Sequence, residues 1–213
     1  MLLVPYREAT LQIEEADVLL FRSEGPISWL IKRYGSGVHS HAALAHWDGD
    51  NLQCVEFREF KGGRAVSLER IIEEHPENVD VFRAAKIVQY TDCQDTCPKC
   101  GMGWSCPTDE RHDLTEEVAK NISDAMLGIT GLPYGWKNFW KLAKHYLPFC
   151  RLAEQNIKDN DPTNVFVCST AVAYAYRMGY VDPVPYLADI AVTPADLARS
   201  ALFKYRFTIQ KDW

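Results

Sequence analysis

Two β-like runs joined by Asp48-Gly49-Asp50-Asn51 constrain this chain more tightly than any other stretch. Ser40-His41-Ala42-Ala43-Leu44-Ala45-His46-Trp47 precedes the turn, and Leu52-Gln53-Cys54-Val55-Glu56-Phe57-Arg58 follows it. Turn residues between two such runs predict a hairpin. Strand side chains alternate between faces, so His41, Ala43, Ala45 and Trp47 share one side. If Trp47 faces Leu52, then Ala43 faces Glu56 and His41 faces Arg58. Opposed residues point the same way, which makes His41 and Glu56 diagonal neighbours. A slip by one residue would bring in Glu59 instead. His39 has the parity of His41, and His46 lies on the other side.

A histidine beside a carboxylate gains meaning when a nucleophile joins it. The stretch from Asp161 to Tyr176 reads as a helix with Cys168 in its first turn. Asp161, Thr163 and Asn164 are cap residues by type. Val165, Cys168, Val172 and Ala175 recur at helical spacing, which puts Cys168 on the packed side. A thiol beside the orphan N–H groups of a helix start sits in positive potential, which favours the thiolate. Core packing is the alternative use of Cys168, since free cysteine is among the most buried residue types.

The rest of the chain supplies a mixed α+β pattern. Asp17-Val18-Leu19-Leu20-Phe21-Arg22 predicts a strand buried on both faces, and Gly25-Pro26 opens a short helix over Ile27 to Arg33. Gly62-Gly63 predicts a turn, and Ser67 caps a helix running to Glu74. Val79 to Ala84 reads as a strand, which Lys86 to Tyr90 extends. Asp113 caps an amphipathic helix to Leu127, with Glu116 three residues on. A Gly/Pro-rich approach, Gly128 to Trp136, leads to a helix over Trp136 to Tyr146. Thr193-Pro194 opens a capped short helix, and Phe203 to Gln210 closes as an alternating strand. With 213 residues the chain suits a single domain, 1–213.

The seven cysteines are odd in number and four fall between Cys93 and Cys106, which argues against a disulfide framework. Cys97-Pro98-Lys99-Cys100 resembles one half of a zinc knuckle, and Cys106 with either Cys93 or His112 would complete a tetrahedral set. Residues 91–113 are therefore expected to form a Cys-rich insertion, with free surface thiols as the alternative. The net charge of −6 argues against nonspecific binding to nucleic acid or to an anionic membrane surface. No apolar run reaches the length of a membrane span. The charged N-terminus does not read as a signal peptide. These features point to the cytoplasm, or to release or virion packaging without a secretory signal.

Six segments, in order, resemble the circularly permuted papain-like enzymes of the NlpC/P60 superfamily, especially the YiiX/YebB-like group. They are Asp17 to Arg22, with Ala16 where that group has Gly; Ser40-His41-Ala42-Ala43-Leu44; and Val55-Glu56-Phe57. The others are Leu132-Pro133-Tyr134-Gly135, Val167-Cys168-Ser169, and Thr193-Pro194-Ala195-Asp196-Leu197. The histidine precedes the cysteine, the reverse of ordinary papain-like order. The resemblance implies an antiparallel barrel-like sheet packed on the nucleophile helix. It implies a triad of Cys168, His41 and Glu56 that cleaves amides, often in cell-wall peptides, with no cofactor for the chemistry. The Cys-rich stretch is outside that pattern and is expected as a zinc-stabilised flap.

The expected activity is thus hydrolysis of a peptide, isopeptide or cell-wall stem-peptide bond through a thioacyl intermediate. An acyltransferase or thioesterase would use the same triad. A zinc-bearing structural or binding module, such as a virion component, is the non-catalytic alternative. The second oxyanion donor has no assignment from sequence. Tyr134, Trp136 and Trp29 are candidate cleft aromatics, with core packing as their simpler use.

Overall fold

The structure is a computed structural model that describes residues 1–74, 78–85, 87–91, 106–112, 114–136, 166–185 and 187–211. At residues 34, 87–91 and 106–112 the description is limited to the backbone.

Seven strands form one sheet: β1 (Leu3–Pro5), β2 (Val18–Phe21), β3 (His41–Asp48), β4 (Asn51–Arg58), β5 (Gly62–Ser67), β6 (Val79–Ala84) and the C-terminal strand (Phe203–Gln210). Between β6 and that last strand come β7 (Ile87–Thr91) and β8 (Cys106–His112), which makes the last strand β9. The sheet order is β1-β9-β6-β2-β3-β4-β5, with β1 and β5 at its ends. The pairs are antiparallel except β1 with β9. β7 and β8 form a separate two-stranded sheet.

Both faces of the large sheet are covered, which is why β2 is buried at four consecutive positions. Helices α1 (Tyr6–Thr10), α2 (Pro26–Gly35), α3 (Leu68–Glu74), α4 (Glu116–Gly128), α5 (Cys168–Met178) and α6 (Pro194–Arg199) surround it. On one face Leu20, Ala42, Leu44 and Phe57 pack with Ile122 and Met126 of α4 and Val172, Ala175 and Tyr176 of α5. On the other face Leu19, Phe21, Ala43 and Cys54 pack with Ala9 of α1 and Leu68 and Ile71 of α3. Each large side chain buried this way contributes about 1.5–3 kcal/mol before entropy is counted.

The α+β class agrees with expectation, and so do β2, the hairpin, β6, α6 and β9, whereas the sheet, expected to be antiparallel, carries one parallel pair, β1 with β9. Several details differ. Gly62 and Gly63 lie inside β5, and the turn is at residues 59–61. The helix expected from Asp113 is instead capped by Thr115, whose hydroxyl accepts from the Val118 N–H. Of the expected extension Lys86 to Tyr90, Lys86 lies outside the described residues, and the rest does not prolong β6 but belongs to β7, a strand of a different sheet. Cys106 to His112, within the expected Cys-rich insertion, is strand β8 paired with β7. The expected caps Asp161, Thr163 and Asn164 lie outside the described residues, as does the 137–146 part of the expected helix, and the N-cap of α5 is Val167.

Candidate active site

The hairpin register is the expected one, with Trp47 opposite Leu52 and Ala43 opposite Glu56. His41 and Glu56 therefore meet on one face, and His41 Nε2 hydrogen-bonds Glu56 Oε2 at 2.6 Å. Both are buried. Glu59, the alternative under a slipped register, is not the partner. The other Glu56 oxygen, Oε1, accepts from Arg64 Nε at 2.9 Å and Nη2 at 2.5 Å. Arg64 sits directly across the β4–β5 pair, so one sheet register fixes three members of the site. His39 pairs with Asp80 instead, and His46 with Glu15.

Cys168 is the first residue of α5 and is buried. Val167 has no side-chain acceptor for a cap. Its own N–H is taken by Thr170 Oγ1 at 3.0 Å, and Ser169 Oγ donates to Val192 O at 2.7 Å. These two bonds fix the helix start and place Cys168 near enough to the His41 ring to act on its charge. Nε2 is held by Glu56. α5 covers the face of Ala42 and Leu44, whereas His41 has the parity of Ala43. His41 opens β3, so Cys168 acts on the ring from the end of the strand rather than from the face that α5 covers.

Burial opposes charge on His41, but hydrogen bonds and charge from Cys168 and Glu56 outweigh it and raise its pKa to about 10. Burial likewise opposes the Glu56 carboxylate. The His41 ring, with Arg58 and Arg64, outweighs that and lowers it to about 2. Across the neutral range this is an imidazolium hydrogen-bonded to a carboxylate. Cys54 differs: burial first, then the Glu56 charge, push its thiol well up.

Tyr134, a candidate cleft aromatic with core packing as its simpler use, is buried, yet its hydroxyl has no hydrogen-bond partner. Burial, then the charges of Cys168 and Glu59, push that hydroxyl up, so it remains a proton donor. The loop is anchored on both sides. Gly135 N–H donates to Phe166 O at 3.0 Å, and Gly63 N–H donates to Leu132 O at 2.9 Å. Trp136 packs between Tyr134 and Phe60, with ring centroids 5.1 Å and 5.0 Å away. Trp29 is 64% exposed. The sequence signal for Tyr134 was its place in the Pro133-Tyr134-Gly135 element, but nothing in that element says that the hydroxyl is unpartnered.

No protein-family model matches the chain, and no curated protein does. Among solved structures it matches the crystal structure of the metalloprotein YiiX from Escherichia coli O157:H7. The TM-score is 0.58 at 12% identity, over 95% of this chain and 99% of that one. The fold is YiiX-like. At that identity the likeness is one of fold, and the site stands on its own geometry.

Among the described residues no group of three or more His, Cys, Asp or Glu side chains is arranged to hold a metal ion. Glu56 itself is committed to Arg64 and His41. Of the expected zinc ligands, Cys93, Cys97 and Cys100 lie outside the described residues. Cys106 pairs with Thr91 and His112 with Ile87, at opposite ends of the β7–β8 ladder. Five residues of β8 lie between them, and the β7 segment they pair with, Ile87 to Thr91, spans four strand steps, about 13 Å, too far for both to ligate one ion.

Proposed function

We propose that this chain is a cysteine-dependent amide hydrolase with a permuted papain-like arrangement, acting on a peptide, isopeptide or cell-wall stem-peptide bond. One observation carries the reading: a buried histidine hydrogen-bonded to a carboxylate that is itself fixed by arginine, beside a buried cysteine at a helix start that acts on the histidine's charge.

In this reading the Cys168 thiolate adds to the scissile carbonyl carbon, and the carbonyl π pair moves to oxygen. The Cys168 backbone N–H, at the first helical position, and the Tyr134 hydroxyl receive that oxyanion. The intermediate collapses, the C–N bond breaks, and the leaving amine takes the proton from His41. Neutral His41 then draws a proton from water, whose hydroxyl displaces the thioester and restores thiolate and imidazolium. The net change is amide plus water to acid plus amine. Glu56 holds the ring and its charge throughout. An acyltransferase would replace that water with another acceptor.

YiiX, the structural neighbour, is described as a metalloprotein. For this chain we propose a structural zinc on Cys93, Cys97, Cys100 and Cys106, apart from the chemistry. Zinc that is lost on replacing Cys97 and Cys100 by Ser, with Cys168 labelling retained, supports it; a metal-free purified chain overturns it.

The test of the hydrolase reading is labelling by iodoacetamide, read residue by residue by mass spectrometry. Cys168 is expected to react well ahead of Cys54 and Cys150, and to lose that lead in His41→Ala. Slow labelling at equal rates overturns the reading.

A further inference from the structure

Phe60, at the tip of the β4–β5 hairpin, carries two disadvantages at once. The Lys61 N–H donates to Arg58 O at 3.1 Å, which closes a turn over residues 58–61 with Phe60 as its second central residue. The Phe60 φ is 64°, a left-handed value that a turn of this kind normally fills with glycine or asparagine. For a bulky side chain that conformation is strained. The ring is also 85% exposed and belongs to neither core cluster. Strain of this kind persists where function uses it. Tyr180 shares the left-handed φ and the exposure, but it follows the Gly179 C-cap of α5, where a left-handed residue ends a helix. It also lies at the opposite end of α5 from Cys168.

What the Phe60 ring touches leads inward. It meets Trp136 with centroids 5.0 Å apart and planes at 48°, and Trp136 meets Tyr134 at 5.1 Å and 61°. Tyr134 is buried, and the charge of Cys168 falls on it. Three rings, one exposed, one half-buried and one buried, thus run from solvent to the nucleophile. The two ring steps place Phe60 within about 10 Å of Tyr134, the reach of about three extended residues. The open side of Phe60 leaves space for one more ring at the spacing that aromatic pairs prefer. Glu59 and Lys61 flank Phe60 in the turn, so the apolar surface there is one ring wide. That suits an aromatic side chain and not a long acyl chain, which needs a continuous apolar groove.

We propose that Phe60 and Trp136 form a subsite for an aromatic side chain of a peptide substrate, within two or three residues of the scissile bond. The substrate class is then peptides with Phe, Tyr or Trp near the cleaved amide. This deepens the hydrolase reading and rests on Cys168 as nucleophile.

Iodoacetamide and its N-phenylalkyl derivatives, with one to three methylenes before the ring, test it, and N-hexyl iodoacetamide is the non-aromatic control. Labelling rates at Cys168 are compared in the full chain for the wild type, Phe60→Asn and Phe60→Tyr. At the best reach, the phenylalkyl rate relative to iodoacetamide is expected to fall about three- to tenfold in Phe60→Asn, the size of one lost aromatic pair. It is expected to be kept in Phe60→Tyr. An unchanged ratio, or an equal fall for the hexyl probe, overturns the inference while leaving Cys168 the preferred site. Urea unfolding of Phe60→Asn is the second readout. Asparagine suits the left-handed φ, so the midpoint is expected to hold or rise. A clear fall would make the ring a packing residue and overturn the inference. Equal, slow labelling of Cys168 and Cys54 by every probe overturns the nucleophile reading and this inference together.

Discussion

Under the proposed mechanism, Tyr134 carries opposite signs for stability and for turnover. A buried hydroxyl without a partner loses its hydration on folding and gains nothing back, a cost of about 1–3 kcal/mol. Its removal in Tyr134→Phe keeps the ring against Trp136 and takes away only the penalty. The variant is expected to unfold at the same or a higher urea concentration, by up to about 1 kcal/mol. If the hydroxyl receives the oxyanion, turnover falls at the same time by roughly 10²–10³-fold, the usual loss for one such donor. Urea midpoints and kcat on one preparation read both effects. A variant that is destabilised, or that turns over normally, removes Tyr134 from the mechanism. Residue identity was legible here and residue role was not: Tyr134 sits in a recognisable Pro-Tyr-Gly element, but an unpaired hydroxyl is a property of its surroundings.

Elements were most legible where one local rule governs them. Side-chain parity and turn length set the β3–β4 register, and with it the His41–Glu56 pair. The Thr193/Asp196 capping box and Pro194 set the start of α6 in the same way. Ala16 has φ 63°, which gives a physical reason for glycine at that place in the resembling motif. Elements were misread where a distant partner decides. Gly62-Gly63 looks like a turn, yet both residues are strand because the 129–133 loop lies against them. Gly62 has φ +70°, and a Cβ there would stand 2.5 Å from Leu132 O, a backbone atom that cannot turn aside. Gly62→Ala therefore combines left-handed strain, about 1–2 kcal/mol, with displacement of the loop that carries Tyr134. A loss of about 2–4 kcal/mol in urea unfolding is expected, together with reduced turnover. Full activity in a destabilised variant would show that the loop does not position the site.

For the whole molecule, the strand neighbours of the sheet were not legible. β1 joins β9 across nearly the entire chain, and β9 lies beside β6, pairings that no local period encodes. What spans those scales energetically is charge. His41 has a raised pKa, so its stabilising effect is complete below about 6.5 and fades as pH rises through about 10. Glu56 has a lowered pKa, so its effect is complete above about 4.5 and fades as pH falls through about 2. Between those windows the buried pair is ionised on both sides and its effect on folding is level. The stability difference between wild type and His41→Gln should hold steady from about pH 5 to 6.5 and shrink steadily toward pH 10. The difference between wild type and Glu56→Gln should shrink on the acid side, below about pH 4.5, and also toward pH 10, because Glu56 helps to raise the His41 pKa. Urea unfolding of the three proteins at half-unit pH steps measures both curves. A His41 difference that stays flat to pH 10 would mean that the ring is neutral in the folded chain. Cys168 would then lack the cation that the hydrolase chemistry needs, whatever its place on the helix.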